Sequence, residues 1–481
     1  MIQRRTVLGG LLSTVGSTWL SACAHRTTAM VTAKDPTELG LTDASRALRT
    51  RQYSPVELTE ASLARIAAID PRLNSFITVT RDRALADAQR AQKELRQGRR
   101  RGPLHGIPIA LKDNIDTAGI LTTAATKAFA ERVPTVNADI VRRLQNAGAV
   151  LLGKLNMHEL AYGTTSVISG YGPVHNPWNL EYSAGGSSGG CGAAVAANLC
   201  YAAVGTDTGG SLRVPAAACG VVGLKPTYGI IDTDGVVPLS KSFDHLGPLC
   251  RNVADTALMF SQMTDHPIAK AVLRSDKIAV KDLRVGVVRN ISQVCDGQMD
   301  LEVQANFDVA LGVIRNLVAK IADVALPYPS DLARIIDAEA YATHSATLAK
   351  SADAIDPRTR ELLMSGKKIP QNEYERRREA LQSYRAQTQD VFKEVDLVIL
   401  PTIPTPPVEI SQAMDAFAVG SCTFAFSLGG WPALSVPCGF SKSRLPVGLL
   451  IGGPALSEPR IFALAQAYEN ATTWHEMRPK L

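Results

Sequence analysis

Three short stretches of this chain bring together residue types that can perform acid–base and nucleophilic chemistry. In the first, Leu104–Asn114 (LHGIPIALKDN), an apolar strand-like run ends at Lys112. A lysine at the end of a buried strand is costly while charged, and burial lowers its pKa until the amine can act as a base. In the second, Tyr182–Gly192 (YSAGGSSGGCG), glycines surround two adjacent serines, Ser187 and Ser188. They open backbone conformations that other residues cannot adopt. In the third, Gly205–Ala218 (GTDTGGSLRVPAAA), Asp207, Thr208, Gly209, Gly210 and Ser211 lead into a turn ahead of Pro215. Backbone N–H groups in such a turn can converge on an anion. Arg213 stands two residues beyond Ser211, so the nucleophile candidate is flanked by opposite charges that read as a brace for the loop. A serine hydroxyl is a poor nucleophile at neutral pH and needs a base.

Singly, each stretch has an ordinary structural reading: a glycine-rich turn, a surface lysine, a loop. Other catalytic patterns fit less well. The string GxSxG occurs at Gly185–Gly189 and again at Gly186–Gly190. An α/β-hydrolase elbow would also require an acid and then a histidine downstream, and His245, His266, His344 and His475 have no recognisable context. His158-Glu159 lacks the second histidine of HExxH. There is no phosphate-binding GxxxxGK[ST] loop and no metal-ligand spacing, so neither a metal nor a cofactor is expected.

Together the three stretches resemble the amidase signature family. The resemblance extends to the helical lead-in from about Leu41, to GKLNMHELAYG (153–163), and to DLVILPTIP, GGWPALSVPCGF and LPVGLLIGGP near the C-terminus. It covers nearly the whole chain beyond the first few dozen residues. It implies a catalytic triad of Ser211, Ser187 and Lys112, with Ser187 following a cis peptide bond that Gly186 makes sterically possible. It implies an oxyanion hole from the backbone of Thr208, Gly209, Gly210 and Ser211, and supporting roles for Ser188, near Lys112, and for the pair Asp207 and Arg213. The expected fold is α/β, a large mixed central sheet covered by helices. The expected reaction is hydrolysis of a small-molecule carboxamide through an acyl-enzyme, without a cofactor. Amidotransferase subunits of this family act on glutamine in the cytoplasm beside partner subunits and form one alternative. A catalytically silent amide-binding lipoprotein is another. The resemblance leaves open which amide is cleaved and whether the chain forms an oligomer.

The elements that must position these residues follow from periodicity and punctuation. Residues 37–100 read as helical: Ser54 is a good N-cap with Pro55 at the first helical position, and a second helix is expected over Arg81–Gln97. Strand-like runs follow at Ile107–Leu111, Ala149–Leu152, Leu199–Val204, Leu283–Val288, Val395–Leu400, Ala433–Pro437 and Gly448–Ile451. Helices are expected at Leu301–Ala322 and Pro370–Lys393. This alternation argues for α/β architecture. About 268–394 is more charged and reads as an excursion that supplies walls of a substrate pocket within one domain, 37–481.

Residues 1–23 (MIQRRTVLGGLLSTVGSTWLSAC) read as an export leader. Arg4 and Arg5 form a twin-arginine pair, the apolar run Val7–Leu20 is too short for a membrane span, and Leu20-Ser21-Ala22-Cys23 resembles a bacterial lipobox. The expectation is a periplasmic or cell-envelope protein anchored in membrane lipid through acylated Cys23, with 24–36 as a tether. The eight cysteines are an odd number once Cys23 is set aside, and their scattered positions argue against a disulfide framework. The chain of 481 residues is 46% hydrophobic and 20% charged, which excludes disorder and collagen-like repeats. Its net charge of +6 includes the run Arg96–Arg101, but aromatics are only 5%, so a nucleic-acid-binding face is not expected.

Overall fold

Apolar runs of four to eight residues, bounded by glycine and proline, become the strands of one large sheet in this computed structural model. It describes residues 35–481 apart from 296, 297, 414, 416 and 418. The expected leader with Cys23, and the expected tether up to residue 34, lie outside the described residues. Residues 35 and 36, the last two of the expected tether, are structured: Asp35 caps a short helical turn at Pro36–Glu38, and Tyr201 donates a 2.7 Å hydrogen bond to the Pro36 carbonyl.

The described strands are β1 Phe76–Val79, β2 Pro108–Lys112, β3 Val150–Leu155, β4 His175–Asn176, β5 Asn179–Ser183, β6 Ala202–Asp207, β7 Val222–Lys225, β8 His245–Cys250, β9 Arg284–Val288, β10 Lys320–Val324, β11 Leu397–Pro401, β12 Ala433–Phe440 and β13 Pro446–Gly452. Strands β4 and β5 form a separate hairpin; the other eleven form one sheet in the order β1-β3-β2-β6-β8-β7-β12-β13-β11-β9-β10. The sheet is mixed. β2 runs parallel to β3 and β6, and β9 parallel to β10 and β11, while β6–β8, β7–β12 and β12–β13 are antiparallel. Every residue of β2, β3, β6, β7, β8, β11 and β13 is buried. Strands covered on both faces need continuous apolar sequence, which is why these segments do not alternate. The fold is the expected α/β class with helices over a large mixed sheet.

Helix Pro55–Leu73 starts with a capping box: Ser54 Oγ accepts from Glu57 N at 3.2 Å and Ser54 N donates to Glu57 Oε2 at 2.7 Å. Its Leu63, Ile66 and Leu73 pack with Ala84 and Ala88 of helix Arg81–Arg96 on Leu152 and Leu155. A second core forms where Phe426 and Trp431 meet Val398, Leu400 and Leu450.

Two sequence expectations need correction. Residues 37–100 are not helical throughout, because β1 interrupts them. Asp70 accepts the N–H groups of Ser75 and Phe76, which ends the helix, and the β-branched run that follows pairs with β3. The helix expected over 301–322 ends at Arg315, and Lys320–Val324 forms the edge strand β10 beside β9. There is no disulfide framework among the described residues, but one pair, which the sequence left open, does form: Cys295 and Cys422, 127 residues apart, make a disulfide. Sheet topology brings them together, so no local spacing could reveal them. Cys191, Cys200, Cys219, Cys250 and Cys438 are free and buried. Among the described residues no helix is long and apolar enough to cross a membrane.

Candidate active site

Strands β2 and β6 are parallel neighbours, with Leu111 opposite Val204, so their C-terminal ends open on the same edge of the sheet. Lys112 closes β2 and is completely buried. Its Nζ lies 2.8 Å from Ser187 Oγ and 2.7 Å from the hydroxyl of Thr206 on β6. Burial pushes the pKa of Lys112 down to about 8, and the carboxylates of Asp207 and Asp244 oppose this only in part.

Ser187 sits in the glycine-rich loop ahead of helix Gly189–Ala196, after a cis Gly186–Ser187 peptide bond. Its carbonyl accepts from His158 N at 3.0 Å and from Ser166 Oγ at 3.2 Å. The crowding explains one glycine here: a Cβ on Gly190 would lie 2.6 Å from the Ser75 carbonyl, too close for any side chain. Ser188 reaches Lys112 only indirectly. Its hydroxyl donates to the Thr206 carbonyl at 3.0 Å, and its N–H donates to the Ser211 carbonyl at 3.2 Å, tying the two serine loops together.

Ser211 lies in the turn between β6 and helix Arg213–Cys219. The turn is braced at its base by Asp207 and Arg213, both fully buried. Arg213 Nε and Nη2 reach Asp207 Oδ2 and Oδ1 at 2.9 and 2.7 Å, and Leu212 N donates to Asp207 Oδ2 at 3.0 Å. Burial alone would raise the Asp207 pKa, but the Arg213 guanidinium overrides it and holds the carboxyl at about 2. Arg213 also donates to the Thr423 carbonyl at 2.7 Å. Thr208 donates at 2.6 Å to Asp244, whose carboxylate further accepts from Leu239 N and Ser240 N; burial raises the Asp244 pKa to about 6. Thr423 Oγ1 donates to the Gly209 carbonyl at 2.6 Å, and a Cβ on Gly210 would collide with that hydroxyl. Among the described residues, the N–H groups of Gly209, Gly210 and Ser211 and the Ser211 hydroxyl have no partner in the protein.

These groups face a cavity of about 280 Å³ lined by Thr208 to Ser211 and by Tyr162, Leu239, Ile336, Asp337 and Phe424, among others. A hydroxyl without a partner, three free N–H groups and a buried amine linked to a second serine can generate a nucleophile and hold an oxyanion. The histidines do not supply an alternative base. His245 is buried, its Nδ1 2.5 Å from the Phe243 carbonyl and its Nε2 3.2 Å from Lys225 Nζ. His158 contributes its backbone N–H to the serine loop, while burial drives its ring to a pKa of about 3. Among the described residues no cluster of histidine, cysteine or carboxylate could hold a metal ion.

Thr206, Asp244, Thr423 and Asp337 were not expected from the sequence. Thr206 lies inside a motif already singled out, and the alternation along β6 that points it toward Lys112 was available. The other three come from distant segments with no local signature.

The family profile named Amidase matches residues 57–462. The chain is 36% identical to a glutamyl-tRNA(Gln) amidotransferase polypeptide of Roseiflexus sp. (strain RS-1), over 92% of this chain and 98% of that one. Among solved structures, it is similar to the peptide amidase of Stenotrophomonas maltophilia, with 32% identity, a TM-score of 0.81, and coverage of 92% and 98% of the two chains. It is also similar to 6-aminohexanoate cyclic dimer hydrolase, with 28% identity, a TM-score of 0.82, and coverage of 93% and 99%.

Proposed function

Because the chain belongs to the amidase family, enzymes that act on amide C–N bonds, we propose that it hydrolyses linear carboxamides through a relay of Lys112, Ser187 and Ser211. One observation carries this reading: a fully buried Lys112 amine stands 2.8 Å from Ser187 Oγ, while the Ser211 hydroxyl, without a partner, faces the cavity. Neutral Lys112 takes a proton from Ser187 as Ser187 takes one from Ser211. Ser211 Oγ then attacks the amide carbon. The N–H groups of Gly209, Gly210 and Ser211 receive the oxyanion, an effect worth about 3–4 kcal/mol per donor; Thr208 holds the turn through Asp244. As the tetrahedral intermediate collapses, Ser187 returns a proton to the leaving nitrogen, and Lys112 restores it. Water then attacks the acyl-Ser211 ester by the same relay and releases the acid. Every step is a proton shift or an acyl transfer within these groups.

The same reading takes the protein to be exported and anchored through Cys23. The twin arginines, the short apolar run and the lipobox-like LSAC support it. So does the Cys295–Cys422 disulfide, since such bonds persist in oxidising compartments. A second reading, a glutamine-using amidotransferase component, is favoured by the 36% identity to curated proteins of that name. Assay of a panel of amides, glutamine included, for released ammonia or amine separates the two. The hydrolase reading expects turnover of simple amides by the isolated chain and its loss in Ser211→Ala; turnover of glutamine alone would favour the second.

A further inference from the structure

Among the described residues, the cavity beside Ser211 is apolar or hydroxyl-lined except for one carboxylate, Asp337, on helix Arg334–Ser351. Asp337 is half-buried, and Tyr162, which also lines the cavity, donates its hydroxyl to Asp337 Oδ1. Among the described residues Oδ2 accepts no hydrogen bond and no cation forms an ion pair with the carboxylate. Arg334 and Arg377 act on it only at longer range, and Arg377 is itself paired with Glu373. Burial raises the Asp337 pKa above the ordinary carboxylate value in spite of the Tyr162 hydrogen bond and those two guanidiniums. The wall of the cavity thus carries a partly desolvated acid that has no ion-pair partner among the described residues, and such a group is best satisfied by a hydrogen-bonding cation. The remaining surface, with Leu239, Ile336 and Phe424, suits a methylene stem between that cation and the reacting carbonyl.

We propose that Asp337 is a specificity-determining residue that selects amides carrying an ammonium group, pairing with that group while the scissile carbonyl lies at Ser211. This rests on the hydrolase reading above and names its substrate class. An amide bearing a carboxylate is repelled by the same group.

The test compares 4-aminobutanamide and 6-aminohexanamide with their near-isosteres pentanamide and heptanamide at about pH 8.5, where an aliphatic ammonium stays protonated. The expected result is a wild-type kcat/KM for one ammonium amide at least about tenfold above its neutral partner, a charge-assisted contact of ordinary strength. In Asp337→Asn that ratio falls toward one, chiefly through KM. A wild-type ratio near one, or a ratio unchanged in the variant, overturns the proposal. Calorimetric titration of wild-type protein with n-butylammonium and with butan-1-ol gives a reading that does not depend on the variant folding. Selective binding of the ammonium supports the proposal, and equal or absent binding overturns it. The two readings fail separately: Ser211-dependent cleavage of both amide series at equal rates leaves the hydrolase reading standing and removes this one. Selective ammonium binding without cleavage of any amide removes the hydrolase reading and, with it, the role of Asp337 in choosing amide substrates, leaving only an ammonium-binding cavity.

Discussion

Lys112 and Thr206 meet across neighbouring parallel strands, with Nζ 2.7 Å from the threonine hydroxyl and nearly equidistant from Ser187 Oγ at 2.8 Å. The amine therefore has a second partner that orients it. In the proposed relay, with one N–H held by Thr206, the neutral amine would turn its lone pair to Ser187, the arrangement a general base requires. Asn114 Nδ2, 3.3 Å from the same hydroxyl, limits its rotation.

The pH dependence follows with a fixed sign. Lys112 is inactive as an ammonium, so kcat/KM rises with pH through a limb at about 8. Lys112→Ala loses most activity and flattens the limb, and Lys112→Arg does not restore it because guanidinium stays charged. Thr206→Val removes a hydrogen bond that favours the ammonium, so the limb moves to lower pH while kcat falls about tenfold from lost orientation. The pH profiles of the four proteins check this. A limb that moves upward in Thr206→Val contradicts it.

Asp207 and Arg213 are both fully buried, so removing one partner strands the other charge. Arg213→Ala is expected to cost about 3–5 kcal/mol, read as a lower urea midpoint with circular dichroism. The folded Asp207 pKa lies below its unfolded value. Its contribution is therefore complete above the ordinary carboxylate range and is lost as pH falls toward about 2. Acid unfolding of wild type and Asp207→Asn should differ in that window. Identical acid profiles would remove the pair from the stability account.

The disulfide joins Cys295, after β9, to Cys422, next to the Thr423 that holds the Gly209 carbonyl. Closing so long a loop constrains the unfolded chain. Replacing both cysteines by serine should lower stability by about 2–4 kcal/mol. It should also lower kcat, because the segment beside the Ser211 turn loses its tie. Denaturant unfolding with and without a thiol reductant reads the first effect. A reductant that leaves the wild-type midpoint unmoved would contradict it.

The proposed export leader makes a cellular prediction. Cys23→Ser should shift the protein from the membrane fraction to soluble or uncleaved precursor, and replacing Arg4 and Arg5 by lysine should impair export. Fractionation followed by mass spectrometry of the N-terminus checks both. An unmodified terminus at another residue would remove the lipid anchor.

Local chemistry was the legible part. Lys112, Ser187, Ser211 and the Asp207–Arg213 pair sit in stretches whose composition is itself unusual, and β2, β3, β6, β9, β11, β12 and β13 announced themselves as apolar runs, whereas β7 and β8 did not. What escaped depends on pairing at a distance. β10 reads KIADV, half-exposed at a sheet edge, and its polar residues continue a helix-like pattern until β9 captures it. Asp244 and Asp337 are single acids in unremarkable segments, and only the fold turns them toward the cavity and the Ser211 turn. Cys295 and Cys422 become a pair because β9 and β11 are neighbours. β1 was hidden by the strong helical propensity on both sides of a four-residue run.

The central claim is that Ser211 is the nucleophile and that Lys112 activates it. The most direct measurement is peptide mapping by mass spectrometry after inactivation with a fluorophosphonate. The expected result is a single phosphonyl adduct on Ser211, formed in step with loss of amide hydrolysis and greatly slowed in Lys112→Ala. An adduct on Ser187 or Ser188 instead, or full inactivation of wild type with Ser211 unmodified, would contradict the account.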